Sequence, residues 1–365
     1  MFTPSYIKHG RLLIRHTEKL LRYRKDVLSE STIADLKTQI EKVRKALKDR
    51  DAQAVKNESE RLHTLYMQHM PTPKDAAWRE NIEVILVAIV VAVGIRSYFL
   101  QPFKIPTGSM QPTLNGIIGH PMPATEPAPN ILRQIGEFIV LGRNYINVVS
   151  AEDDQVMQIV PKKFAFFFTF SRIVCEKQKF LVYAPPEQLR QDFKVSPGNH
   201  YRKGETIAKG AIDTGDQVFV DKFSYNFVKP HRGDVFVFRT DNIFGITADP
   251  ETGAPFFIKR LAGLPQDTLR IDPPLFYANG KLSEGFGFAR VMAAKFGYRG
   301  YAAGRDYLSD PTKTYVVPDQ HYFAMGDNSY NSLDSRWWGP VPEENLVGRG
   351  LLVYWPFNRH WGLIR

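Results

Sequence analysis

Val84 to Ile95 is an unbroken apolar run inside the segment Ile82–Leu100, and it divides the chain into three parts. As a helix from Ile82 through Leu100 it would measure about 28 Å at 1.5 Å per residue, close to the hydrocarbon thickness of a bilayer. Glu83 and Arg96 fall toward its ends, where long side chains reach the headgroups. Tyr98 and Phe99 suit the interface. The uninterrupted core alone is short enough to be a buried helix, but its flanks favour a single membrane span. Lys74 and Arg79 precede it and Arg96 and Lys104 follow, so charge does not set its orientation. The expected organisation is a helical region over 1–80, a transmembrane helix over 81–101 and a third domain over 102–365.

A net charge of +10 suits nucleic acid or an anionic membrane surface. No zinc-finger spacing or stacked basic-aromatic module is present, which favours the membrane over nucleic acid. One cysteine, Cys175, excludes an intrachain disulfide, and its setting in Ile173-Val174-Cys175 points to a small core residue. The histidines are scattered without ligand spacing, so no metal site is expected. The early apolar runs are short and broken by charge, unlike a signal peptide.

Before residue 80 the texture is polar and helical. Ile33, Leu36, Ile40, Val43 and Leu47 recur at steps of three and four, a heptad-like seam fit for a coiled coil or a packed helical hairpin. Asp49 to Asp51 interrupts it. A second stretch through Val55, Leu62 and Leu65 runs to Pro71, whose ring should end it. Leu12, Leu13, Ile14, Leu20 and Leu21 lie among Arg and Lys residues, as in a helix on an anionic bilayer or a solvated basic helix. After Pro102 short β-branched and aromatic runs alternate with turns: Gln217–Val220, Asp234–Phe238, Phe256–Ile258, Thr314–Val317 and Leu351–Tyr354. This predicts a mainly antiparallel β domain. The aromatic run Phe164–Phe170 is expected to be a core strand.

Directly behind the apolar segment, Phe103-Lys104-Ile105-Pro106-Thr107-Gly108-Ser109-Met110-Gln111-Pro112-Thr113-Leu114 sets a serine in a Gly-Ser turn. A serine hydroxyl is a poor nucleophile until a base takes its proton. Lysine can be that base only if burial lowers its pKa toward neutrality. Phe256-Phe257-Ile258-Lys259-Arg260-Leu261 offers an apolar setting, with Lys259 and Phe257 on one face of a strand. Taken alone, Lys259 reads more simply as a surface residue on an edge strand. Met325 to Gly339 is rich in Asp, Asn, Ser and Arg, suited to buttressing a site by local hydrogen bonds. It lacks the glycine and glutamate positions of an EF-hand loop.

Together these segments resemble the type I bacterial signal peptidases of the Ser–Lys class. Ile105–Leu114 is similar to the family's serine box, and Asp216–Tyr225 and Pro230–Phe238 to its middle strand boxes. Ile258–Asp267 is similar to its lysine box, and Gly326-Asp327-Asn328 with Ser332–Arg336 and Trp338-Gly339 to its last. The order is the family's own, behind a membrane segment. The resemblance implies an antiparallel, barrel-like β catalytic domain after one transmembrane helix and an N-terminal helical region.

The same resemblance implies that Ser109 is the nucleophile and Lys259 the general base. The Ser109 N–H and the Thr107 hydroxyl would form the oxyanion hole, with threonine where many relatives carry serine. Ser332 would hydrogen-bond the Lys259 amine, and Asp334 and Arg336 would form a supporting ion pair. Ile105, Pro106, Met110, Leu114 and Ile258 match positions that line small substrate pockets, which implies cleavage after Ala-X-Ala. No cofactor and no metal are implied. The implied partners are signal peptides of exported preproteins, membrane lipids and the protein-export machinery. The implied location is the inner or plasma membrane, single-pass, with the β domain outside and the N-terminal helices in the cytoplasm. About 115–214 and 272–313 read as insertions without a catalytic box. Two other readings compete: a self-cleaving Ser–Lys repressor, which would need no span, and a non-enzymatic membrane-tethered helical adaptor.

Overall fold

The computed structural model describes residues 4–69, 73–164, 168–246 and 254–365. It has two compact units, residues 1–91 and 92–365. In the first, the helices α1 (Ser5–Arg24), α2 (Glu30–Asp49) and α3 (Ala52–His69) pack together. The Ser29 hydroxyl accepts from the Thr32 N–H to open α2, and the Asp51 carboxylate accepts from Gln53 and Ala54 to open α3. The heptad-like seam is used: Leu36, Ile40 and Val43 are buried with Leu62 of α3. Leu13 and Ile14 of α1 complete this core, so most of that helix's apolar stripe faces protein rather than a bilayer. The helix break expected at Pro71 lies outside the described residues.

Next comes α4 (Pro73–Tyr98), in which Trp78–Tyr98 is long and apolar enough to cross a membrane, with a mean hydropathy of 1.8. Its side chains from Val84 to Val93 are exposed.

The second unit is mainly antiparallel β. Its principal sheet has eight strands, in the order Leu100–Lys104, Gln217–Asp221, Leu346–Trp355, Val235–Arg239, Phe256–Gly263, His321–Met325 and Val341–Pro342, with Gly362–Leu363 beside Leu346–Trp355. Val218 and Val220 are buried and alternate with less buried neighbours, a strand with one face in the core. Val235, Phe236, Val237 and Phe238 are all buried, because this central strand is covered on both faces.

The stretch 115–214 builds structure of its own. It contributes α5 (Ile131–Leu141), a three-stranded sheet of Ile118–Pro121, Thr206–Asp213 and Arg143–Val149, and a four-stranded sheet. Val156, Ile173, Cys175 and Leu189 lie in its core, and burial pushes the Cys175 thiol up to about 11. The aromatic run Phe164–Phe170 is not one strand. Asp154–Phe164 and Phe168–Cys175 are separate paired strands, and residues 165–167 lie outside the described ones. The short helix α6 (Pro186–Gln191) follows. The stretch 272–313 carries α7 (Phe286–Met292) beside a further four-stranded sheet, and α8 (Ser335–Trp338) closes the last box.

Candidate active site

The strand Leu100–Lys104 ends just before Pro106, and the chain then turns through a short 3-10 segment, Gly108–Met110. Met110 is fully buried and anchors this turn in the core. Ser109, one residue earlier, is left at the surface of a cleft of about 770 Å³. Across the cleft runs Phe256–Gly263, where Lys259 pairs in register with Phe236. Lys259 is 5 % exposed, so it is no edge-strand surface residue.

Lys259 Nζ lies 2.6 Å from Ser109 Oγ. Burial of the ammonium pushes the lysine down to about 8; Asp334 and Asp327 oppose that shift, and Arg336 adds to it. A minority of Lys259 is therefore neutral near physiological pH, in contact with a hydroxyl. Thr107 Oγ1 is 3.5 Å from Ser109 Oγ, on the cleft side of the same turn.

Asp334 and Arg336 form a buried bidentate pair, with Nε to Oδ1 and Nη2 to Oδ2 both 2.8 Å. Asp334 also accepts from the Gly326 N–H at 2.9 Å, and Arg336 donates to the Ser329 hydroxyl at 2.7 Å. The hydrogen bond expected from Ser332 to Lys259 is not formed. The Ser332 hydroxyl is buried without a partner among the described residues. It is held against Gly326, where an added Cβ would stand 2.1 Å from Ser332 Oγ and 2.6 Å from the Ser109 carbonyl. Only glycine permits that approach.

Of the expected pocket residues, Pro106 and Ile258 line the cleft. Ile105, Met110 and Leu114 do not: they are buried with Val218, Val220 and Val353 in the core under the turn. The stretch 115–214 reaches the site instead, for Ile117, Ile118 and the α6 residues Glu187, Gln188 and Gln191 line the same cleft.

Sequence reasoning assigned no role to Arg260 or Thr113, which pack behind Lys259 and Ser109. Arg260 is 1 % exposed and pairs with Asp327 through Nε–Oδ1 at 2.7 Å and Nη2–Oδ2 at 2.6 Å. Thr113, just past the Ser109 turn, donates to Asp327 and accepts from Arg260 at 3.3 Å. Gly287 of α7 leaves room for the guanidinium: a Cβ there would stand 2.1 Å from Arg260 Cζ. The adjacency of Arg260 to Lys259 was a signal, but its partner is 67 residues away and only the fold joins them.

The β unit is antiparallel and sets a buried lysine in contact with a turn serine. A family model described as "Signal peptidase, peptidase S26" matches residues 78–118 and 201–355, more than half of the chain. The chain belongs to this signal peptidase family. The stretch 272–313 lies inside the matched range, and most of 115–214 lies outside it. A signal peptidase I of Pseudomonas fluorescens is 34% identical over 227 residues, covering 52% of this chain and 71% of that protein. A probable signal peptidase I-2 of Synechocystis sp. is 33% identical over 148 residues, covering 40% of this chain and 59% of the relative. The chain thus spans less than two thirds of the Synechocystis relative. Thylakoidal processing peptidase 1 of Arabidopsis thaliana is 30% identical, covering 40% of this chain and 38% of its own length. A crystal structure of a signal peptidase I from Enterococcus faecalis V583 matches at 26% identity, over 33% of this chain and 97% of that one, with a TM-score of 0.24.

Proposed function

We propose that this protein is a membrane-bound serine endopeptidase that removes N-terminal signal peptides from exported preproteins. The 2.6 Å contact between Lys259 Nζ and Ser109 Oγ, made by a buried lysine, carries the reading. Neutral Lys259 takes the hydroxyl proton as Ser109 Oγ attacks the scissile carbonyl. The Ser109 N–H and the Thr107 hydroxyl stabilise the oxyanion. Collapse of the tetrahedral intermediate expels the amine of the mature protein, which takes the proton from the Lys259 ammonium. The signal peptide remains as an ester on Ser109, and water deprotonated by Lys259 hydrolyses it.

Small residues before the scissile bond, as in Ala-X-Ala, suit a cleft whose floor is a tight Thr107–Ser109 turn against Ile258. Trp78–Tyr98 would anchor the enzyme as a single span, with the β unit on the outer face of the membrane, where signal peptides present their cleavage sites. The self-cleaving repressor reading has no use for this exposed apolar helix. The test is cleavage of an Ala-X-Ala preprotein in detergent by wild type, Ser109→Ala and Lys259→Ala. Both variants should be inactive; processing by either at the wild-type rate would sink the proposal.

A further inference from the structure

In the β unit, α7, the turn after it, Pro112–Leu114 and the segment 359–365 line a pocket of about 480 Å³ that the proposed chemistry does not use. Arg290, Lys295 and Arg359 stand in its wall. No aspartate or glutamate lines it, and none of the three forms an ion pair among the described residues. Arg290 lies over the Phe286 ring at 4.4 Å and donates to Thr113 Oγ1 at 3.1 Å. Burial and the nearby Arg260 push its guanidinium below its ordinary value, Asp327 opposes the shift, and Arg359 adds to it.

The rim is apolar and faces solvent. Phe286 is 62 % exposed, Trp361 60 % and Phe296 90 %. Phe296 also holds a φ of 57°, a left-handed conformation that residues bearing a Cβ rarely adopt. A strained turn thus holds an aromatic ring away from the protein. Cations set among aromatics and aliphatic residues match a ligand that is anionic at one end and hydrocarbon at the other.

We infer that this pocket binds an anionic phospholipid, the headgroup phosphate against Arg290, Lys295 and Arg359 and the acyl chains across Phe286, Phe296 and Trp361. The pocket shares no lining residue with the Ser109 cleft, although Arg290 reaches the Arg260–Asp327 pair through Thr113, and its occupancy can be measured without substrate.

The test uses the full chain in a neutral detergent, titrated with dihexanoyl phosphatidylglycerol and followed by tryptophan fluorescence. Dihexanoyl phosphatidylcholine and inorganic phosphate serve as comparison ligands, and Trp361→Phe identifies the reporting residue. A saturable signal with phosphatidylglycerol is expected, carried by Trp361. Its midpoint should rise at least about ten-fold in Lys295→Glu/Arg359→Glu and about five-fold in the milder Arg359→Gln. Melting temperatures establish that each variant is folded, and the milder one decides if the double variant is not. An equal midpoint with phosphatidylcholine would reduce the pocket to an apolar face and overturn the inference. Saturation by inorganic phosphate at the same concentration would make it a free-anion site, with the same consequence. A midpoint indifferent to the charge changes would also refute it.

Discussion

Asn328 holds the Gly108–Met110 turn from both sides of Ser109: its side-chain amide donates to the Gly108 carbonyl at 3.1 Å, and its backbone N–H donates to the Ser109 carbonyl at 3.0 Å. The position of Ser109 Oγ against Lys259 therefore depends on a loop 220 residues away. Asn328→Ala removes only the side-chain bond. It should lower kcat by about ten-fold through misplacement of the nucleophile, while costing only about 1 kcal/mol of stability. Parallel kinetics and thermal melts would check this; a wild-type kcat in a folded but destabilised variant would mean Asn328 is merely structural.

The rate should follow the deprotonation of Lys259. On the proposed mechanism the active form carries the neutral amine, and burial lowers the group from the ordinary 10.5 to about 8. Single-turnover acylation should thus rise with pH through a limb centred near 8 and level off above it. A profile flat from pH 6 to 9, a range of about three units around that value, would contradict the assignment.

The same burial has a stability consequence of defined sign. Below about pH 8 the folded protein must hold a buried ammonium. Between about 8 and 10.5 the folded amine is neutral while the unfolded chain still binds the proton, so wild-type stability rises across that window. Lys259→Met should therefore be more stable than wild type at pH 7, by up to about 3 kcal/mol. That advantage should shrink as pH climbs from 8 toward 10.5. Denaturant melts at several pH values would measure it.

Asp327→Ala leaves the Arg260 guanidinium buried without its carboxylate. A loss of about 3–5 kcal/mol is expected, as for any buried pair broken on one side. A melting temperature within a degree or so of wild type would show that water reaches Arg260 and replaces the carboxylate.

Ser332→Ala should behave differently. Its hydroxyl is buried without a partner in this structure, so the substitution should leave stability unchanged or raise it by about 1 kcal/mol. If Ser332 turns to the Lys259 amine when substrate is bound, kcat should fall while stability holds. Unchanged kcat would remove Ser332 from the supporting set.

Much of this protein was legible in the order of its residues. The unbroken run Val84–Ile95 required a helix for lipid or deep burial, because a backbone there must satisfy its own hydrogen bonds. Alternating runs such as Gln217–Val220 required strands, since successive side chains must face opposite sides. Ser109 stood out locally as a serine in a Gly-Ser turn, whereas Lys259 alone read as a surface residue and took its role only from the resemblance of several segments, in order, to one family. Tertiary structure decided what distance in sequence hides. It placed Lys259 2.6 Å from a hydroxyl 150 residues away and buried it, and this turns an ordinary ammonium into a candidate base. It sent Ile105, Met110 and Leu114 into the core and brought α6 to the cleft, because the side a residue faces at a turn depends on what packs beneath it. It also packed α1 onto α2 and α3, since an apolar stripe shows only that something covers it, and the partner is chosen by the fold.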